Sequence, residues 1–269
     1  MSVSDRVFAG SIPQLYESQL VPLIFEPYAV DAAQRLHALK PSRVLEIAAG
    51  TGVVTRALAT VLDPDTQIIA TDLNQAMLDQ AAATGTVRPV QWRQADAQDL
   101  PFDAGGFDAL VCQFGAMFFP DKPRAFAEAR RVLRPRGMFV LSVWDCLEAN
   151  EFADAVTAAL GDLFPRDPPC FLARTPHGYC DRDAIARDLA GGGFGQAPHI
   201  ETIAARSRAA SPRVPAVAYC QGTPLRNEIE ARGIPLAEAT DAAAAEIARR
   251  FGCGAVDGAI RAHVVSVAA

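Results

Sequence analysis

Two acids in or at the end of apolar runs, Glu46 and Asp72, with the glycines Gly50 and Gly52 between them and Asp96 beyond, are the reactive or ligand-binding candidates of this chain. Glu46 lies inside the apolar run Arg43-Val44-Leu45-Glu46-Ile47, where a carboxylate needs a polar partner or a cationic ligand. The run continues into Ala48-Ala49-Gly50-Thr51-Gly52 and then into a segment with helical periodicity. A strand, a small-residue turn and a helix in that order present backbone N–H groups at a helix N-terminus and let a ligand approach the backbone closely. A dinucleotide fingerprint would want Gly or Ala where this chain has Thr55, so that pattern fits poorly. Asp72 ends the next apolar run, about twenty residues after Gly52. Each residue has a plainer reading: the glycines as a tight turn, Asp72 as a helix cap, Asp96 as a solvated loop acid.

Other reactive side chains are less suggestive. The six cysteines form no C-x-x-C pair and have no histidine beside them at metal-ligand spacing, so no metal site is expected and the thiols read as small, buried and inert. His177, in Thr175-Pro176-His177-Gly178-Tyr179, reads as a loop histidine or as a candidate base, while His37, His199 and His263 fall in helix or strand patterns. Phe114, Met117, Phe118 and Phe119 follow a strand's carboxyl end, where ligands sit in open α/β sheets, although apolar clusters are most simply core.

Strand and helix patterns alternate around these residues. Strands are expected at 43–47, 67–71, 90–94, 107–112 and 138–144, with helices between them whose apolar faces carry Val54, Leu58 and Leu62, then Met77, Leu78 and Ala81, then Phe126, Ala129, Val132 and Leu133. Asn74 and Asp121 are the expected N-caps. Strands apolar on both faces and alternating with helices imply a doubly wound, mostly parallel sheet. Asp181–Leu189 reads as a helix, Ile200–Ala205 as a strand, and 260–264 as a closing strand of alternating polarity. Leu15–Leu39 reads as an amphipathic stretch broken at Pro22 and Pro27, and 145–180 and 210–256 as insertions over one rim.

In this register the chain resembles the class I S-adenosylmethionine-dependent methyltransferases, whose first motif reads acid-x-Gly-x-Gly-x-Gly. Glu46, Gly50 and Gly52 match, and Ala48 replaces the first glycine. Asp72 falls where the family holds the ribose hydroxyls, and Ala95-Asp96-Ala97-Gln98-Asp99-Leu100-Pro101-Phe102 is similar to its third motif, where an Asp accepts from the adenine amino group. Gln113-Phe114-Gly115 resembles the segment lining the methionine end, and Arg130–Gly137 the turn before the fifth strand. The resemblance spans about residues 40–146 and is strongest to the branch containing the ubiquinone/menaquinone C-methyltransferases.

What the resemblance implies is a Rossmann-like methyltransferase fold: a doubly wound, seven-stranded, mostly parallel sheet with a C-terminal antiparallel strand and cap insertions. It implies one domain over 1–269, with an N-terminal helical cap at 1–40, a cofactor core at 41–146, and a part at 147–269 carrying caps at about 147–180 and 210–256. The implied cofactor is S-adenosylmethionine, with S-adenosylhomocysteine as product, held by Glu46, Ala48, Gly50, Gly52, Asp72, Leu73, Met77, Asp96, Ala97, Gln113 and Phe114. Tyr16, Tyr28, Met117, Trp144, His177 and Tyr179 are the expected acceptor contacts, and no residue is assigned as catalytic. The acceptor is expected to be a small, largely apolar molecule. The rival readings are a nicotinamide-dependent oxidoreductase and a catalytically silent, methyltransferase-like binding protein.

Composition narrows the classes further. The 269 residues carry 25 Lys+Arg against 31 Asp+Glu, a net charge of −6, which argues against a general nucleic-acid binder. With 50% hydrophobic and 21% charged residues, the chain can bury a large core rather than remain disordered. Leu20–Phe25 is flanked by Glu17 and Glu26, nothing approaches a membrane-spanning apolar run, and no signal-peptide pattern opens the sequence, so the expected setting is the cytoplasm.

Overall fold

The structure is a computed structural model describing residue 5 and residues 7–269. The chain divides into two compact units. One carries Glu26–Trp144, Tyr179–Ile203 and Ala262–Ala269; the other carries the described residues up to Phe25 together with Asp145–Gly178 and Ala204–Arg261.

Seven strands form a sheet in the order β3-β2-β1-β4-β5-β7-β6. They are β1 (Arg43–Ile47), β2 (Gln67–Asp72), β3 (Gln91–Gln94), β4 (Phe107–Gln113), β5 (Leu133–Trp144), β6 (His199–Ala209) and β7 (Val256–Ala268). β1 pairs in parallel with β2 and β4, β2 with β3 and β4 with β5, while β7 runs antiparallel to β5. This is the doubly wound sheet with a C-terminal antiparallel strand that the alternating pattern predicts. From β1 the chain steps to β2 on one side, and β4 later fills the other side, so the strand order reverses beside β1. Ligands in open α/β sheets bind at that switch point, outside the strands' carboxyl ends.

The first unit's helices cover the sheet because its central strands are apolar on both faces. α2 (Glu26–Ala38) and α3 (Val53–Val61) place Ala29, Ala33, Leu36, Val54 and Leu58 in one buried cluster with Val44, Ile68, Val111 and Val140. Adjacent strand residues face opposite sides. Accordingly Phe139, next to Val140, meets Phe126 of α5 (Lys122–Val132) at 6.0 Å and Phe194, after α8 (Arg182–Gly191), at 6.0 Å. α4 (Gln75–Thr84) buries Met77, Leu78 and Ala81. Asp121 caps α5 by accepting from the Arg124 N–H at 3.0 Å. Asn74 stands at the N-cap of α4 but makes no side-chain cap bond.

The second unit is mostly helical. Its helices are α1 (Ile12–Leu15), a π-helical segment Tyr16–Phe25, α6 (Glu151–Leu163), α7 (Phe171–Arg174), α9 (Arg213–Gln221), α10 (Leu225–Ala231) and α11 (Leu236–Phe251). Ala239, Ala243 and Ile247 form the buried stripe of α11, and Phe152 of α6 meets Phe251 edge-on at 5.1 Å. Among the described residues no helix is long and apolar enough to cross a membrane.

Several expectations are corrected. β3 was expected to be apolar on both faces, yet its residues are exposed or half-buried because it is the sheet's outer strand. Pro22 and Pro27 do not break helical structure: Pro22 lies within the π-helical segment Tyr16–Phe25, and Pro27 is the second residue of α2, which follows Phe25 directly without a break in the helical run. The closing strand runs over Val256–Ala268, well beyond 260–264, because its pairing with β5 continues to Met138↔Ala268. The cysteines are not uniformly buried and inert. Cys112 and Cys220 are buried and free, Cys170 and Cys253 are exposed and free, and Cys146 and Cys180 are disulfide-bonded.

Candidate functional site

The turn between β1 and α3 is built from left-handed backbone. Ala48, Gly50 and Gly52 have φ of 55°, 56° and 83°. At Gly52 a Cβ would stand 2.8 Å from the Trp92 ring and 3.2 Å from the Ala81 Cβ, so only glycine lets the helix start against those side chains. Ala48 holds the same conformation with a side chain, at a cost of about 1–2 kcal/mol. Its Cβ fills space that glycine leaves open across the switch point: a Cβ on Gly115, after β4, would lie 2.4 Å from it. Phe114 is also left-handed, with φ of 53°. Two strained non-glycine residues thus sit at the ends of the two central strands, where backbone strain tends to mark function. Between the two glycines, Thr51 is 1% exposed and its Oγ1 has no hydrogen-bond partner among the described residues.

Three acids converge on the same edge. Glu46 is buried and accepts from the Thr55 hydroxyl of α3 at 2.5 Å; desolvation pushes its carboxyl up to about 8. Thr55, which spoils a dinucleotide fingerprint, is the partner that the buried acid requires. Asp72 ends β2 and accepts from the Gly50 N–H at 2.8 Å through one oxygen and from the Asn74 N–H at 2.8 Å through the other. Burial raises its pKa, and those two N–H groups oppose the rise. Oδ1 also accepts from the Asn74 side-chain amide at 3.5 Å, so it is Oδ2 that retains a lone pair for a further donor. Asp96 turns back on itself, accepting from the Gln98 N–H at 2.9 Å. Leu73 is 41% exposed, an apolar side chain left open immediately after Asp72, whereas Met77 and Ala97 are buried.

Gln113 ends β4 and leads into Phe114, whose ring stacks on Trp144 at 3.8 Å and 6°. Tyr28 meets both rings edge-on, at 5.3 and 5.4 Å, and its hydroxyl donates to the Ile203 carbonyl at 3.3 Å. Met117, in the short helical turn that follows, is buried. Lys122, which sequence reasoning did not single out, holds this turn by donating to the Phe119 carbonyl at 3.1 Å, with its ammonium 4.7 Å from the centre of the Tyr179 ring. The Tyr179 hydroxyl donates to Asp188 at 2.8 Å.

Tyr16 and His177 belong to the helical unit. Tyr16 stacks on Phe25 at 5.0 Å. His177 is buried, and its Nδ1 lies 2.9 Å from the Asp145 carbonyl oxygen. A carbonyl only accepts, so Nδ1 carries the proton and Nε2 is the basic nitrogen. Desolvation lowers the imidazole pKa to about 4.

Residues 45–141 match the family model Methyltransf_11, a methyltransferase domain. The chain is 34% identical over 155 residues to the ubiquinone/menaquinone biosynthesis C-methyltransferase UbiE of Burkholderia vietnamiensis, an alignment covering 53% of this chain and 63% of that protein. It thus spans less than two thirds of that relative's length. It is 30% identical over 175 residues to the UbiE of Teredinibacter turnerae, covering 60% of this chain and 70% of that protein. The chain belongs to the class I S-adenosylmethionine-dependent methyltransferases, beside the ubiquinone/menaquinone C-methyltransferase branch. Solved structures agree on the fold. Haemonchus contortus phosphoethanolamine N-methyltransferase 2 superposes with a TM-score of 0.61 at 14% identity, over 98% of this chain and 59% of that one. The YcgJ protein of Bacillus subtilis gives 0.57 at 18% identity, over 90% and 98%.

The residues of this methyltransferase fit the family's cofactor. Its ribose diol needs a carboxylate with acceptor capacity to spare, which Asp72 has. Its adenosine needs apolar surface and close backbone approach, which Leu73 and the glycine turn offer. The buried Thr51 hydroxyl, between the two glycines of that turn, has no partner among the described residues.

Proposed function

We propose that this protein transfers the methyl group of S-adenosylmethionine to a small, largely apolar acceptor. The observation that carries the reading is the Asp72 carboxylate, held against the Gly50–Gly52 turn by the Gly50 N–H. In this reading Asp72 holds the ribose hydroxyls, Leu73 and Ala97 flank the adenine, and Asp96 accepts from its amino group. The turn Ala48–Gly52 with Glu46 behind it, together with Gln113 and Phe114, takes the methionine end, and Met77 supports the wall from α4. When bound, the cofactor supplies a methyl already activated by a sulfonium, so the chain's work is to orient an acceptor and exclude water.

Tyr28, Met117, Trp144 and Tyr179 are assigned to the acceptor. Both tyrosine hydroxyls are already engaged, so what these four side chains offer is apolar surface. Tyr16 and His177, with the segments 147–180 and 210–256, are assigned to acceptor selection. The UbiE relatives are named for ubiquinone and menaquinone biosynthesis, which makes reduced, alkylated quinones the first acceptors to try. With methyl-labelled donor, label should pass into a benzoquinol or naphthoquinol and be extracted into organic solvent. Label entering only polar amines or carboxylates would reject the apolar acceptor.

A further inference from the structure

The segment between β4 and α5 carries Met117 in the short helical turn Ala116–Phe118. Its start is packed closely: a Cβ on Gly115 would stand 2.4 Å from the Ala48 Cβ and 2.9 Å from the Cys112 Sγ. Its far end is different, because the last carbonyls of a helical turn have no partner within the turn. There the Lys122 Nζ donates to the Phe119 carbonyl at 3.1 Å and reaches the Met117 carbonyl at 3.5 Å. The same ammonium lies over the Tyr179 ring, 4.7 Å from its centre. Two carbonyl dipoles and a ring face therefore share one cation.

The place of this cation in the chain works against it. Lys122 is the first residue of α5, where a positive charge opposes the helix dipole. Burial lowers its pKa, and Asp188 of α8 counters the fall. Asp188 is engaged by the Tyr179 hydroxyl at 2.8 Å, so the ring beneath the ammonium is itself fixed. The start of α5 does not depend on Lys122. Asp121 caps it through the Arg124 N–H at 3.0 Å, the Asp121 N–H donates to Gln98 Oε1 at 3.1 Å, and Arg124 Nε donates to the Gln98 carbonyl at 3.1 Å. What the ammonium holds is the turn before the helix.

We propose that Lys122 is a positioning residue for methyl transfer: its ammonium holds the turn that carries Met117 against the acceptor, and so sets acceptor affinity without setting donor affinity. The inference rests on the assignment of Met117 and Tyr179 to the acceptor and deepens it.

Steady-state methyl transfer from S-adenosylmethionine to a naphthoquinol, with calorimetry of S-adenosylhomocysteine binding, tests this on the full chain. Lys122→Met keeps the apolar stem and removes the charge; Lys122→Arg keeps a cation for the carbonyls and the ring. Lys122→Met should raise the acceptor KM about tenfold, as expected when a charge-assisted hydrogen bond is lost, and leave the Kd of S-adenosylhomocysteine within about twofold of the wild type. Lys122→Arg should recover most of the KM. Hydrogen exchange reads the turn itself, which the Phe118 and Phe119 N–H groups close on the Gly115 and Ala116 carbonyls at 2.9 and 3.2 Å. Those amides should exchange faster in Lys122→Met and slow again in Lys122→Arg. An unchanged acceptor KM in Lys122→Met, equal weakening of both ligands, or an arginine variant no better than the methionine one overturns the proposal. If Lys122→Met does not fold, Lys122→Gln, which also lacks the charge, decides on the same split. A wild type that transfers no methyl to the naphthoquinol fails at the proposed function itself, before any variant is made.

Discussion

Asp72 has two loads, and that shapes how it can be tested. Beyond any ribose contact it satisfies the N–H groups of Gly50 and Asn74, so Asp72→Ala would leave two backbone donors without their acceptor. Asp72→Asn is the better probe: it should stay folded and lose about ten- to a hundredfold in donor affinity, as expected when a charge-assisted hydrogen bond of about 1.5–3 kcal/mol is weakened. Unchanged affinity by calorimetry would remove Asp72 from the site. His177 makes a stability prediction of definite sign. Its pKa is lowered to about 4 from an ordinary 6.5, so between those values the unfolded chain binds more protons, and stability falls as pH drops through that window. The melting temperature of the wild type should therefore fall more steeply from pH 6.5 to 4 than that of His177→Asn, which keeps a donor but does not titrate; parallel curves would contradict the neutral buried imidazole. At this scale the sequence was most legible where residues interact locally. Glu46, Gly50, Gly52 and Asp72 lie on one strand-turn-helix-strand path, so the resemblance to the family's motifs can be followed along a single stretch of chain. Thr55 as the partner of Glu46 was hidden, because a nine-residue separation has meaning only once β1 and α3 are seen to pack.

The elements that matter most are β1 and β4, and their closeness is what the sequence could not display. Ala48 and Gly115 are far apart in the chain, yet the Cβ of one occupies the space that the other must leave empty. The alanine in motif one is thus half of a pair, its methyl accommodated by a glycine on the neighbouring strand's exit. Gly115→Ala should destabilise the protein by about 1–3 kcal/mol through overpacking and weaken donor binding. Adding Ala48→Gly should recover the part of both losses that comes from the Ala48 clash and leave the part that comes from the 2.9 Å approach to Cys112 Sγ, which a double-mutant cycle by denaturant unfolding and calorimetry measures. Additive losses would show that the two positions are independent. The stack of Phe114 on Trp144 is another non-local contact that apolar patterning cannot foretell. Alternation of strands and helices was legible because burial on both faces leaves an unbroken apolar run. β3 departed from that rule because an outer strand has one free edge, and the Pro22 segment because π-helical turns are not encoded in the α-helical period.

For the whole molecule, a net charge of −6 and a mostly parallel sheet frame the account without deciding it, since the same scaffold serves nicotinamide and methyl-donor chemistry alike. What decides is which ligand stabilises the folded chain. The acids Glu46, Asp72 and Asp96 stand at the carboxyl ends of β1, β2 and β3, around the glycine turn, in the register of a methyl-donor site. A ligand bound only by the folded state stabilises it by RT ln(1 + [L]/Kd), about 2.7 kcal/mol at a hundredfold excess over Kd. The most direct measurement is thermal unfolding of the full chain with S-adenosylmethionine, S-adenosylhomocysteine, NAD and NADP in parallel. The adenosyl ligands should each raise the melting temperature by about 5–10 °C near that saturation, and the nicotinamide cofactors should leave it unchanged. A rise with NAD or NADP and none with S-adenosylmethionine would contradict the account at its centre.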